Sequence, residues 1–256
     1  MEFRKAELLR KYAELRGSYI DSYEPDLSRE GYTVRYAKIP DPCLSSDLCS
    51  HRILRHFDAK KALFPRLYNK LLKGAEPAAY AEMYFDKDGK LHHLVHQISE
   101  TVYYVTIPVS KQLLADYRVE HIAGRKPFIT FLCMEWTEYD PDGNPVSVES
   151  FQRNGSLADG VIISCEYYRY ENGKLIHADY YKEFDSDGRI EEPLVRRMVP
   201  DRIMNPEVFA YDFQRTEGGI LCTRTIYWSA SKTYTGSFLM PEKELKKMEE
   251  HGMSFA

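Results

Sequence analysis

No stretch of this 256-residue chain approaches about 18 consecutive apolar residues, so no membrane-spanning helix is expected. The opening MEFRKAELLRKYAELRG is charged throughout and lacks the apolar core of a signal peptide. Cysteine is scarce: Cys43, Cys49, Cys133, Cys165 and Cys222 are odd in number and scattered. That pattern gives no disulfide framework and suits a reducing cytoplasm. Net charge is −4, and neither sign forms a long run, so no broad nucleic-acid-binding surface is expected. There is no phosphate loop, no G-x-G-x-x-G after a strand and no G-x-S-x-G elbow. DKDGK and DSDGR lack the full set of oxygen ligands of a calcium loop. No motif fixes a reaction and no cofactor is expected; a non-catalytic binding role leads, with a barrel-like small-molecule binder or enzyme built on a His/Tyr-lined cavity as the alternative.

What the chain does have is tyrosine, 20 of them. Tyrosine suits pleated, half-buried surfaces with one wet end, so the count favours β structure or binding surfaces. Helical spacing is clearest toward the ends. Residues 3–16 place Phe3, Ala6, Leu8, Leu9, Tyr12, Ala13 and Leu15 on one stripe, with Gly17 as the stop. A connector or arm with one short strand near Tyr32–Ile39 follows. Ser50–Lys73 predicts further helix, interrupted at Pro65. MPEKELKKMEEHG predicts a C-terminal helix.

Between these ends the chain reads as strands and turns. Asp88-Gly89, Asp142-Gly143, Asn172-Gly173, Asp187-Gly188 and Gly218-Gly219 are turn signals of an antiparallel meander. A short helix is expected near Ser110–Tyr117. The expected fold is α+β: a large twisted antiparallel β-sheet with N-terminal helices and a C-terminal helix, curled toward a half-barrel if the sheet is wide enough. Residues 1–77 would form a helical and irregular segment packing on the sheet. Residues 78–256 would form the meander and the last helix, all within one domain.

A two-residue type I′ turn at Asn172-Gly173 sets the register of YYRYENGKLIHADYY. Tyr170 then opposes Leu175, and Tyr168 opposes His177. One face collects Ile163, Cys165, Tyr167, Ile176, Ala178 and Tyr180 as core. The other collects Glu166, Tyr168, Tyr170, Leu175, His177, Asp179 and Tyr181; apart from Leu175 these form an aromatic–acidic candidate surface for a protein partner. The same register sets Glu166 against Asp179, an unfavourable pairing of like charges. In YFDKDGKLHH, Phe85 is expected opposite Leu91 and Met83 opposite His93, leaving Tyr80, Glu82, Tyr84, His92 and His96 on one face. Tyr80, Tyr84, His92 and Tyr104 are the candidates for lining a small-molecule pocket. His92 and His96 would lie roughly 13 Å apart along the strand, too far for one metal ion.

The units MYFDKDGKL, EYDPDGNPV, YRYENGKLI and EFDSDGRI resemble the aromatic–Asp/Asn–Gly hairpins of YD-repeat and MORN-like proteins. Such hairpins recur in bacterial toxin systems and their immunity proteins. The resemblance implies a strand-rich binding protein, one role for which is to neutralise a toxin by covering its active site; the acids of the candidate face suit a basic toxin domain as the protein partner, and the cysteine usage suits a cytoplasmic location. It carries no catalytic residue across.

Overall fold

The computed structural model describes residues 5–38, 66–71, 73–74, 76–153, 161–185, 207–229 and 232–250. Thirteen strands hydrogen-bond in the order β13-β12-β11-β10-β9-β8-β7-β6-β5-β4-β3-β1-β2. The order has two ends, at β2 and β13. The large antiparallel sheet expected from the turn signals is therefore present, and among the described residues one α-helix lies near each end of the chain. The chain divides into two compact units, one of residues 1–44 and 65–135, the other of 45–64 and 136–256.

The first unit begins with α1 (Lys5–Leu15), which buries Leu8, Tyr12 and Leu15. The helix does not stop at Gly17. It widens into a π turn over Arg16–Ile20, closed by the Asp21 amide on the Arg16 carbonyl and by the Arg16 guanidinium on Asp21 at 2.9 Å. An arm of residues 21–32 leads to β1 (Thr33–Lys38). Then come β2 (Leu67–Tyr68), β3 (Tyr80–Phe85), β4 (Leu91–Gln97), β5 (Val102–Pro108) and β6 (Leu113–Glu120). β7 (Phe128–Tyr139) runs into the second unit.

Two helical expectations are corrected. Ser110–Tyr117 is not a helix, because Leu113, Ala115, Tyr117 and Val119 are buried in strict alternation as strand β6. That two-residue period outweighs the helix propensity of KQLLADYR. Leu67–Tyr68, within the expected second helix, pair with β1 instead. Residues 50–65 of that helix lie outside the described residues, as does the Asp187-Gly188 turn.

The second unit holds β8 (Pro145–Arg153), β9 (Val161–Glu171), β10 (Lys174–Asp185), β11 (Glu207–Thr216), β12 (Gly219–Ser229) and β13 (Lys232–Pro241). The C-terminal helix α2 (Glu242–Glu250) follows β13 directly. One face of β8–β13 is core: Val148, Tyr168, Leu175, Ala178, Tyr180, Tyr211, Phe213, Ile220, Cys222 and Met240 cluster with Leu245 of α2. Arg215 pairs with Glu242 at 2.6 Å and fixes the start of that helix. Among the described residues, no helix is long and apolar enough to cross a membrane.

The turns follow local chemistry. At Asp140 the Gly143 amide bonds the Asp140 carbonyl at 3.0 Å, and Gly143 takes φ +88°. Gly89 does the same with Asp86 at φ +76°. These are type I turns with a left-handed glycine, as the spacing predicts. Asn172 and Gly173 both have positive φ, at 51° and 72°, as a type I′ turn demands. The turn between β11 and β12 centres on Glu217-Gly218, one residue earlier than the Gly-Gly signal suggests, because Thr216 pairs with Gly219.

Gly219 combines φ +138° with a crowded backbone: a Cβ there would lie 2.1 Å from the Met240 carbonyl oxygen. Gly143, by contrast, has open space around it. Gly219→Ala is therefore expected to destabilise the fold by about 2 kcal/mol or more, and Gly143→Ala by roughly 1 kcal/mol. Urea denaturation of the two variants checks the order, and equal midpoints would refute the close approach at Gly219.

Candidate functional site

Two surfaces gather the chemistry. In the first unit, the arm crosses one face of β3–β6. Tyr23 stacks on Tyr117 with ring centroids 6.3 Å apart. The Arg29 guanidinium lies 5.9 Å from the Tyr84 ring and 5.8 Å from the Tyr103 ring, and 3.6 Å from Glu82. Tyr32 stacks on His92 at 4.5 Å and meets the edge of His93.

The expected register fails here by one residue. Phe85 does oppose Leu91, but His93 opposes Tyr84, and Leu94 opposes Met83. The extra residue is His92, a β-bulge. It brings His92 and His93 together, Nδ1 to Nδ1 at 2.8 Å, and lets His93 stack on Tyr84 at 4.4 Å and 6°. His96 is thereby turned to the opposite face, opposite Tyr104. The Tyr84 hydroxyl donates to Glu82 at 2.5 Å. Burial, and then that carboxylate, pushes the Tyr84 phenol well up. The fully buried His93 is pushed down to about 4, mainly by burial and then by the neighbouring His92. Among the described residues its Nε2 has no hydrogen-bond partner.

Beside this stack lies a cavity of about 60 Å³, lined by Arg29, Tyr36, Tyr80, Glu82, Gln97 and Tyr103 among others. Of the four pocket candidates, Tyr80 lines it. Tyr84 is buried in the stack next to it, His92 sits under Tyr32, and Tyr104 is exposed on the other face.

In the second unit a bulge again decides the faces. Tyr170 opposes Leu175 as expected, but His177 opposes Arg169 and Ala178 opposes Tyr168. Ile176 is the extra residue. The candidate aromatic–acidic surface is thus split between two faces. Glu166, Tyr168 and Tyr170 join the core side, where Glu166 is 1% exposed and accepts the Tyr168 hydroxyl. The Tyr170 hydroxyl donates to the Pro145 carbonyl at 3.0 Å. His177, Asp179 and Tyr181 lie on the opposite side. The bulge also removes the clash of like charges: Glu166 opposes Tyr180, and Asp179 opposes Tyr167.

On that opposite side His177 stands between two carboxylates. Its Nδ1 is 2.6 Å from Asp212 and its Nε2 is 3.2 Å from Asp179. Register carries the row onward: Arg169 opposes His177, which opposes Asp212, which opposes Thr223, which opposes Ser237. Thr223 meets Ser237 at 3.0 Å and Thr225 meets Thr235 at 3.4 Å. Tyr227 and Leu239 are exposed on the same side, whereas Tyr181, opposite Cys165 of β9, is buried.

Arg29, Tyr32, Asp212 and the Thr–Ser pairs are not visible as site residues in sequence. The alternation of FAYDFQRT with CTRTIY is the signal that would have set Asp212 beside Thr223. Among the described residues, no group of three or more His, Cys, Asp or Glu is placed to hold a metal ion. Cys165 and Cys222 are buried thiols pushed up to about 12 by burial, which makes them poor nucleophiles.

No family model matches the chain, and no curated protein or solved structure matches it either.

Because the folded His93 titrates near 4 rather than near 6.5, the unfolded chain binds more protons between those values. Stability due to His93 is full above about pH 6.5 and is lost as pH falls toward 4. His93→Phe keeps a ring against Tyr84 and is expected to flatten that acid limb in urea midpoints measured across the window. An unchanged slope would show that His93 does not titrate as a buried neutral ring.

Proposed function

We propose that this chain is a cytoplasmic binding protein that acts through a protein–protein interface, in the manner of an immunity or inhibitor protein. The observation that supports this reading is the contrast between the two sides of β10–β13. One side is packed as core under α2. The other is a polar sheet surface carrying His177, Asp179, Asp212, Thr223, Thr225, Thr235 and Ser237 in cross-strand rows. Short hydroxyl side chains hydrogen-bonded across strands present a surface that orders little further on binding, so the side-chain share of the entropy cost of association is small. Asp212 is 60% exposed at its side chain and Asp179 33%, which suits a basic partner such as a nuclease-type toxin domain. The surface so proposed keeps only His177 and Asp179 of the exposed sequence candidates and adds Asp212 and the hydroxyl rows.

A small-molecule site is the second reading, and the cavity beside Arg29 favours it. At about 60 Å³ it holds a few waters, against roughly 300 Å³ or more for an ordinary ligand pocket. The interface reading therefore leads.

Capture from the native host with the tagged chain tests it. A basic protein retained by the wild type is expected to be lost with Asp179→Lys plus Asp212→Lys, while the melting temperature stays within a few degrees. Retention of the same protein by both forms would remove this surface. Tyr168→Ala separates core from interface: at 8% exposure it is expected to cost about 3 kcal/mol of folding stability. Tyr168 belongs to the interface instead if that variant keeps its stability and loses the partner.

A further inference from the structure

The two ends of the strand order differ in kind. β2 is two residues long, too short to template another strand. β13 is ten residues long, and among the described residues no strand lies on its outer side. Edge strands are usually blunted by a charge, a proline, a bulge or shortness. Between its first residue Lys232 and its last residue Pro241, β13 reads TYTGSFLM, with no charge and no proline. The register shift against β12 lies at the turn, between Tyr227 and Ser229, so the ladder from Thr233 to Pro241 is unbroken. Tyr234 and Leu239 are 59% and 50% exposed.

We infer that β13 is an interaction edge whose occupant is β13 of a second copy of this chain, paired antiparallel across a twofold axis. Three features select a copy of itself. A stretch uncharged from Thr233 to Met240 pairs with itself without like-charge repulsion. Side chains of a twofold antiparallel pair stay on their proper faces only when the axis passes a residue, not a peptide bond. Gly236 is the central candidate. Centring there opposes Thr235 with Ser237 and Tyr234 with Phe238. The first pair continues the Thr–Ser pairing that β12 and β13 already make. The second sets aromatic against aromatic on the core side, where Phe238 is half-buried. The position on the axis is the one without a side chain, and the Tyr234 ring covers it, 3.5 Å from where a Cβ would be. The ladder would form on the backbone edge of β13, whereas the surface proposed above lies on the sheet face; Thr235 and Ser237 belong to both, and Asp212 belongs to the face alone.

Sedimentation velocity of the full chain over about a hundredfold range of concentration tests it. The wild type is expected to shift from monomer to dimer. Thr235→Lys with Ser237→Lys sets lysines opposite each other at two exposed positions and is expected to weaken the dimer at least about tenfold. Asp212→Lys, two strands inward, is expected to leave the dimer unchanged. A wild type that stays monomeric throughout overturns the inference, as does a double-lysine variant that dimerises like the wild type. An Asp212→Lys variant that loses the dimer equally assigns self-association to the polar surface and overturns it too.

Discussion

A pleated strand has two faces, and one extra residue exchanges them. This chain makes that exchange in two hairpins, at His92 and at Ile176. Each bulge sits on the second strand, just past the leucine that closes the turn. Everything downstream on that strand changes side. His96 leaves the arm-covered face and His93 enters it. His177 and Asp179 leave the company of Tyr168 and face Asp212 instead. Which groups meet at either surface is therefore set by two unpaired residues rather than by the residues of the surfaces themselves.

The two hairpins share more than a bulge. Residues 82–93 read EMYFDKDGKLHH and residues 166–177 read EYYRYENGKLIH, with Glu, Tyr, Gly, Lys, Leu and His at equivalent places. In both, a tyrosine hydroxyl donates to the glutamate two residues before it. That spacing puts both groups on one face, so the strand carries its own donor for a carboxylate withdrawn from water. The loops differ by one residue, and this decides the outcome. In the first hairpin the bulge aligns His93 with Tyr84, and the rings stack. In the second it aligns Ala178 with Tyr168, and the equivalent His177 turns away. One local sequence pattern thus yields a buried imidazole in one unit and a surface imidazole in the other.

Turns were legible in sequence because their demands are local: positive φ at Asn172 and Gly173, and an aspartate to bond the backbone at Asp86 and Asp140. Strand faces were legible only up to the first bulge. Ile176 carries no local mark of its role, and no glycine or proline stands beside it. The unbulged register did hold one warning, Glu166 set against Asp179. Strand β6 differs from its sequence reading for another reason: KQLLADYR favours helix residue by residue, and only pairing with β5 and the burial of alternate side chains make its two-residue period decisive. Arg29 and Tyr32 were hidden because an arm has no period at all. Their partners on β3, β4 and β5 are set by where the chain passes.

The hydroxyl rows of β12 and β13 bear on how such a wide sheet keeps one polar side. Threonine supplies the β-branched shape that strands favour, and its hydroxyl finds a partner across the strand gap. Apolar residues of the same shape would give the sheet equal strength and leave a continuous apolar patch, which soluble chains rarely tolerate. On the opposite side the same strands offer Ile220, Cys222, Phe238 and Met240, and α2 covers them through Leu245. A helix of nine residues covers little area, so the division of labour between faces must be made strand by strand. Strict alternation does this in β12 and β13, with no bulge between Thr233 and Pro241 to disturb it. The regularity that keeps Ile220, Cys222, Phe238 and Met240 together on the core side also leaves the edge of β13 unguarded between Thr233 and Met240.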